Sequence, residues 1–507
     1  MTRDDWRPTI SWWKRPRWIA AIAAFCLVLA GGLVWGLWPE DTSCAAGVRK
    51  VGNPVACVGV TDGSFAFSRD LSPVSKLVRD KNRGISGNYI SIVYLLPMVP
   101  GPTDTTTADS VRREVEGAYT AQVQADDTDT YGDTPKIKLL LANSGTTPEQ
   151  RTAALDEIRH RIGPDHIVAV AGLGTSTDAT ADMIRTITKD TADGGLQLGA
   201  VSSVLTADTL AGIKGLVRAA PTNKDEAAAA AAFLREKPYA RMKVLIVQDV
   251  RQDDQYSATL GERFRASMPK DRLVGQVEQY DSSQAGVATA FAAEMPNLCA
   301  AKPDVVYFAG RGVNLPKFLA PLRTRGCADR PLIVLSGDDA SKAAQSAGFK
   351  KIKDALRTSH VRLIYTGLAH PGAWTKLGSA YPPEAVGVFR GGADKNSYPA
   401  IFPGEPLDDG QAIMAFDSVL TAVRGARIVS ASPESNGVVT GSDMIQIWHN
   451  LHNTLAIRGA SGYISFDDSG SPSDKAVPLI EITADGAVTT LAVTSAGGKP
   501  FVPQDPG

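Results

Sequence analysis

HIVAVAGLGTSTDAT, His166 to Thr180, is the stretch on which the reading of this chain turns. A short apolar strand, Ile167 to Ala171, runs into Gly172, Leu173 and Gly174, then into the hydroxyls of Thr175, Ser176 and Thr177, and then into a helix. Small residues at a helix start leave backbone N–H groups free to hold an anion without a dedicated base. A Thr or Ser at the same place also serves as an ordinary N-cap, so both uses stand side by side. The pattern nearly recurs at Leu196 to Thr206, LQLGAVSSVLT, where a strand again ends in Gly, Ala and serines. Two such loops at the ends of neighbouring strands form one wall of a small-molecule site.

Outward from this stretch the alternation is regular. Strands are expected at 89–99, 136–141, 167–171, 196–201, 243–248, 273–279, 305–308 and 332–335, with amphipathic helices at 108–124, 148–162, 224–234 and 256–267 between them. Strand–helix alternation at this spacing predicts parallel sheets covered on both faces. It breaks near Ala219-Ala220-Pro221-Thr222-Asn223, with about four strands on each side, which marks a lobe boundary. Past Leu335 the pattern loosens into helices, a Gly/Pro-rich stretch and short antiparallel strands.

The 507 residues exceed one ordinary core, in keeping with two lobes. A net charge of −1 and 7% aromatics offer neither an electrostatic footprint nor a stacking surface for nucleic acid. Ile19 to Trp38 is an uncharged run of about twenty residues, the length of a membrane-spanning helix. Lys14, Arg15 and Arg17 precede it and tryptophans flank it, which places the N-terminus in the cytoplasm and the rest outside. A cleaved signal peptide is the rival reading; it calls for a shorter apolar region and a small-residue cleavage site, whereas Leu37-Trp38-Pro39-Glu40-Asp41 follows here. The expected organisation is a cytoplasmic tail (1–17), an anchor (18–38), an extracytoplasmic extension with a disulfide (39–87), the first part of lobe 1 (88–220), lobe 2 (221–338), a completion of lobe 1 with a returning crossover (339–493) and a disordered tail (494–507). Cys44 with Cys57 and Cys299 with Cys327 are local pairs suited to disulfides in an oxidising compartment; four free buried thiols is the alternative.

Three passages together resemble a known family. They are the strand–GLGTST–helix segment followed by GAVSSVLT, the segment KVLIVQDVRQDDQYSATLG at Lys243–Gly261, and GASGYISFDDSGSPSDKAVPLIEI at Gly459–Ile482 with its G-x-x-G-x-I-x-F-D-x-x-G hairpin pattern. From about Asn88 to Val493 the chain resembles type I periplasmic binding proteins, the branch that includes the leucine/isoleucine/valine-binding proteins of ABC importers. The resemblance implies two Rossmann-like α/β lobes joined by three crossovers, with a ligand closed into the cleft between them.

It also implies site residues. Gly174, Thr175 and Ser176 fall where the family holds a ligand carboxylate, and Ser202 and Ser203 where it places a second set of polar contacts. Tyr256 matches an aromatic that closes over the ligand from the second lobe. Arg311 stands where relatives carry a cleft tyrosine, and a guanidinium there favours a second acidic group on the ligand. Asp338 falls where a carboxylate receives the ligand ammonium. Caps, loop packing and surface packing are the competing roles for these residues.

Other signals are weaker. Gly172-Leu173-Gly174 opens like a dinucleotide fingerprint but has Thr177 at the sixth position and no partner acid. The acidic run Asp126–Asp133 has Tyr131 and Lys138 where calcium ligands belong, and His449 with His452 lacks a third ligand. No cofactor, no metal and no catalytic machinery is expected. The expectation is a membrane-anchored extracytoplasmic solute-binding protein that takes an amino acid or related amide and partners ABC permease subunits. A sensing or scaffolding ectodomain acting on another membrane protein is the alternative.

Overall fold

The strand runs close into two separate sheets. The computed structural model describes residues 42–101, 104–345, 349–392 and 394–504. The chain divides into Met1–Cys44 and Ala45–Gly507. Of the first unit only residues 42–44 are described, with the short extended β1 at Ser43–Ala45. The expected tail and anchor, 1–17 and 18–38, lie outside the described residues; among the described ones no helix is long and apolar enough to cross a membrane.

From β2 onward the first sheet runs β2 (Val48–Val51), β3 (Ala56–Thr61), β5 (Lys136–Asn143), β4 (Tyr89–Leu96), β6 (Ile167–Gly172), β7 (Gly199–Ser202) and β8 (Leu216–Arg218). β4 through β8 are parallel, while β2 and β3 add antiparallel. The second sheet runs β10 (Glu278–Tyr280), β9 (Val244–Asp249), β11 (Val305–Ala309), β12 (Leu332–Ser336), β13 (Val361–Thr366), β16 (Val477–Ile482) and β17 (Val488–Thr494). Its first five are parallel and its last two antiparallel. A small hairpin, β14 (Ile457–Gly459) with β15 (Gly462–Ile464), stands apart.

Successive strand residues point to opposite faces, so a central strand feeds two cores at once. In β4, Ile92, Tyr94 and Leu96 enter one apolar cluster while Val93 and Leu95 enter another. In β11, Val306 and Phe308 go one way, and Val305, Tyr307 and Ala309 the other. That two-sided burial explains why these strands read as continuous apolar runs.

The stretch expected to complete the first lobe, 339–493, is in fact divided. β13, β16 and β17 pair into the second sheet, because their backbone ladders continue from β12. Helices Gln411–Ala431 and Gly441–Ile447 return to the first lobe. The chain thus passes between lobes after β8, after β13 and after β15. Gln411–Ala431 lies so close to Ala108–Asp127 that a Cβ on Gly117 would come within 2.0 Å of the Ala412 carbonyl oxygen. Only glycine permits that approach. A buried Arg113–Asp409 pair, 2.8 Å long, ties helix Ala108–Asp127 to the turn just before Gln411–Ala431.

Two further expectations change. Of the expected 39–87 extension, residues 45–87 belong to the first lobe: β3 pairs with β5, and helix Ser72–Gly84 packs beside β5. The tail after Thr494 is held as far as it is described. Ser495 Oγ, Gly497 N and Phe501 N all donate to Asp474, whose carboxylate and carbonyl collect three hydrogen bonds. Cys44 and Cys57 are both disulfide-bonded, and Cys299 pairs with Cys327.

Candidate functional site

The loop after β6 is built by backbone conformation. Gly172, Leu173 and Gly174 follow one another at φ values of 91°, 78° and 76°. The left-handed region is costly for Leu173, and glycines on both sides make the turn possible. The turn delivers Thr177 to the start of helix Asp178–Thr188, where its Oγ1 accepts from Thr180 N over 3.2 Å. Thr147 caps the neighbouring helix Pro148–Arg161 with a full capping box. The two capped helix starts face the second lobe across a cavity of about 480 Å³. On the first lobe it is lined by Ser144, Thr146, Arg151, Thr175 and Thr177 together with Asp104 and Asp178; from the second come Arg251, Asp253, Asp254 and Arg311.

Arg311 dominates the second wall. Its Nε donates to both Asp254 oxygens, at 3.1 and 2.9 Å, and its Nη2 donates to Oδ1 at 2.6 Å. The guanidinium lies 4.5 Å from the centre of the Tyr256 ring, a cation–π arrangement. Nη2 also donates to the Ser176 carbonyl across the cleft, at 2.9 Å. Burial opposes the charge, but Asp254 and Asp339 more than offset it and keep the arginine cationic. Other bridges join the lobes. Lys342 Nζ donates to the Thr105 carbonyl, Arg263 Nε to Asp208, and Gln255 contacts Thr209 and Asp178. The lobes are closed on each other by the protein's own groups.

The residues singled out from the sequence separate into two sets. Thr175 and Arg311 line the cavity, and Ser176 and Tyr256 touch Arg311. The Ser176 side chain itself faces away: Oγ accepts from Thr206 N at 3.2 Å and Ala207 N at 3.3 Å, tying the two glycine-serine loops together. Gly174 shapes the turn, and a Cβ there would stand 3.2 Å from Pro97. Ser202 and Ser203 are fully buried behind the wall. Ser203 Oγ donates to Glu114, which also receives Tyr94 Oη. Burial raises the Glu114 carboxyl to about 7 despite those two bonds.

Asp338 does not reach the cavity. Its N–H donates to Glu226 Oε2 at 3.0 Å, and Glu226 also receives Thr366 Oγ1 at 2.6 Å. Burial and the charge of Asp339 raise the Asp338 carboxyl to about 6, and burial with Asp338 alongside raises Glu226 well above the ordinary carboxylate range. The second lobe presents Asp253 and, paired with Arg311, Asp254 instead; sequence reasoning passed over Asp254. Its one legible feature is the N-cap position before helix Gln255–Ser267; its pairing with Arg311 is a tertiary fact. Arg151 was also missed, since an arginine in a helix first turn carries no signal of its own.

Comparison with known proteins bears on the fold. No family model matches the chain, and no curated protein matches it. Among solved structures, it is similar to the leucine binding protein LivK of Thermotoga maritima, at 20% identity and a TM-score of 0.57, over 80% of this chain and 98% of that one. It is similar to LivJ of Streptococcus pneumoniae, solved with isoleucine, at 18% identity and a TM-score of 0.56, over 80% of this chain and all (100%) of that one. A solute binding protein of an ABC transporter from Rhodopseudomonas palustris, solved with p-hydroxybenzoic acid, matches at 16% identity and a TM-score of 0.55, over 81% and 98% of the two chains. The fold is that of the type I periplasmic binding proteins.

Proposed function

We propose that this chain is an extracytoplasmic solute-binding protein, tethered to the membrane through residues 18–38, that closes its two lobes on a small carboxylate-bearing ligand such as an amino acid or related amide. Delivery to ABC-type permease subunits follows from that reading, and no catalysis is assigned to it. The observation that carries it is the cleft cavity. Hydroxyls, two helix starts and Arg151 on one wall suit a carboxylate. Asp253, exposed on the other beside Arg251, suits a donor group. Structural neighbours solved with isoleucine and with p-hydroxybenzoic acid accord with a carboxylate. The test is a thermal-shift and calorimetric titration of the purified protein against amino acids, their amides and aromatic acids. A concentration-dependent rise in melting temperature supports the reading; neither heat nor shift with any member counts against it.

One observation favours a second reading, an ectodomain that senses or scaffolds another membrane protein. Arg311 already fills the face of Tyr256, saturates Asp254 and bridges the lobes. A cleft closed by its own groups gains less from a ligand. Cross-linking in membranes separates the two, by recovery of permease subunits or of a different membrane protein.

A further inference from the structure

A second cavity, of about 280 Å³, lies in the second lobe and shares no lining residue with the cleft. It arises from how the sheet ends. β10 is the edge strand and is only three residues long, so one flank of β9 has little beside it. The cover comes from two seven-residue helices, Val287–Ala293 and Met295–Ala301, with Pro296 at the start of the second. Short helices broken at a proline cannot follow the sheet surface continuously. The slot left between them has a floor of Leu245, Val247, Phe291, Met295, Leu298 and Phe318, all buried. Phe291 lies 5.4 Å from Phe318 and 4.6 Å from Tyr280, so the inner end is aromatic.

The rim has a different character. Glu278 from β10, Asp281 and Glu294 stand around the opening, and neither lysine nor arginine lines the cavity. Asp281 is held by Ser283 and stays acidic. Glu278 on the strand and Glu294 at the junction of the two helices approach each other; burial, the charge of Glu294 and a hydrogen bond between the two carboxyls hold the Glu278 carboxyl above its ordinary range, and Glu294 also accepts from Asn297. Two carboxyls brought together at the mouth of an apolar cavity either share a proton or take a cation between them. The aromatic inner wall also favours a cation or an apolar body over an anion.

We infer that this cavity is a second ligand site, separate from the interlobe cleft, that takes a small hydrophobic ammonium compound: an aryl or branched-alkyl body in the slot and the ammonium between Glu278 and Glu294. An apolar slot of this size accepts a ring-sized body, and the two carboxylates add direction and charge selection.

Three probes test it on the full-length protein by calorimetry: 2-phenylethylammonium, the uncharged 2-phenylethanol and 3-phenylpropanoate. The ammonium is expected to bind at least about ten times more tightly than the alcohol, and the carboxylate not to bind at this site. Ala290 sits exposed on the rim. Ala290→Trp is expected to abolish binding of both ammonium and alcohol by plugging the opening, with the unliganded melting temperature unchanged. The double variant Glu278→Gln, Glu294→Gln is expected to keep alcohol binding and lose the ammonium preference. Equal binding of the first two probes, ammonium binding that survives Ala290→Trp, or no ammonium binding to the unaltered protein each overturns the proposal.

Discussion

Arg311 and Ser176 stand 135 positions apart, yet Nη2 of the arginine donates to the carbonyl of the serine over 2.9 Å. The bond spans the two lobes, and the same guanidinium is anchored in its own lobe by Asp254. Closure here rests on a charged hydrogen bond from a buried side chain to a backbone oxygen that is always present.

Arg311→Ala removes the bridge and leaves Asp254 buried without its cation. Breaking a buried pair from one side costs about 3–5 kcal/mol. The expected result is a lower urea midpoint together with lobe opening, read as a larger radius of gyration in solution scattering. Arg311→Met combined with Asp254→Asn removes both charges and is expected to recover at least half of the lost stability while the lobes stay open. A variant as compact as the parent would show that the other contacts suffice for closure.

Glu114 sets a pH dependence. A carboxyl whose folded pKa lies above its unfolded value binds its proton more tightly in the folded state. Its contribution is therefore complete below about 4.5 and is lost as pH rises through about 7. At 1.36 kcal/mol per unit the loss amounts to about 3 kcal/mol at most. Asp338 and Asp126, both raised to about 6 chiefly by burial, act in the same direction. Stability is expected to fall between pH 5 and pH 8, and Glu114→Gln to flatten that fall. Equal slopes in denaturant titrations of the two proteins would remove Glu114 from the account.

The Cys299–Cys327 disulfide, with a sequence separation of 28, joins the end of helix Met295–Ala301 to the segment before β12. Loops of this length correspond to about 3.6 kcal/mol of chain entropy. Replacing both cysteines by serine is expected to lower the melting temperature by several degrees with the fold retained. Unchanged melting on replacement would mean that neighbouring packing already confines the loop.

Arg151 tests the cleft wall. It is half-buried on the first lobe and donates only to the Thr146 carbonyl, with no carboxylate in ion-pair contact among the described residues. Arg151→Ala is expected to weaken a carboxylate ligand about tenfold, the size of one charged hydrogen bond, while shifting stability by no more than about 0.5 kcal/mol. Affinity that holds steady would place the carboxylate elsewhere.

Much of the fold was legible. The apolar runs at Ile167–Ala171 and Val305–Phe308 announce strands buried on both faces, and the Gly-Leu-Gly turn announces a helix start. The strand expected at 273–279 shortens and shifts to Glu278–Tyr280, an edge strand with a ladder on one side only. The site was legible in part. Thr175 and Arg311 stand on one cavity, but Ser203 and Asp338 turn inward to Glu114 and Glu226, because buried polar groups bind whatever partner the packing brings.

Periodicity and turn chemistry, both local properties of the chain, determined the alternation of strands and helices, the two lobes and the glycine-built loop. Only the tertiary structure decided that Asp254 meets Arg311, that Ser176 lends its carbonyl instead of its hydroxyl, and that residues 339–493 are shared between both lobes. Those outcomes depend on contacts between residues far apart in sequence, where a hydroxyl or a carboxylate carries no mark of the partner it will find.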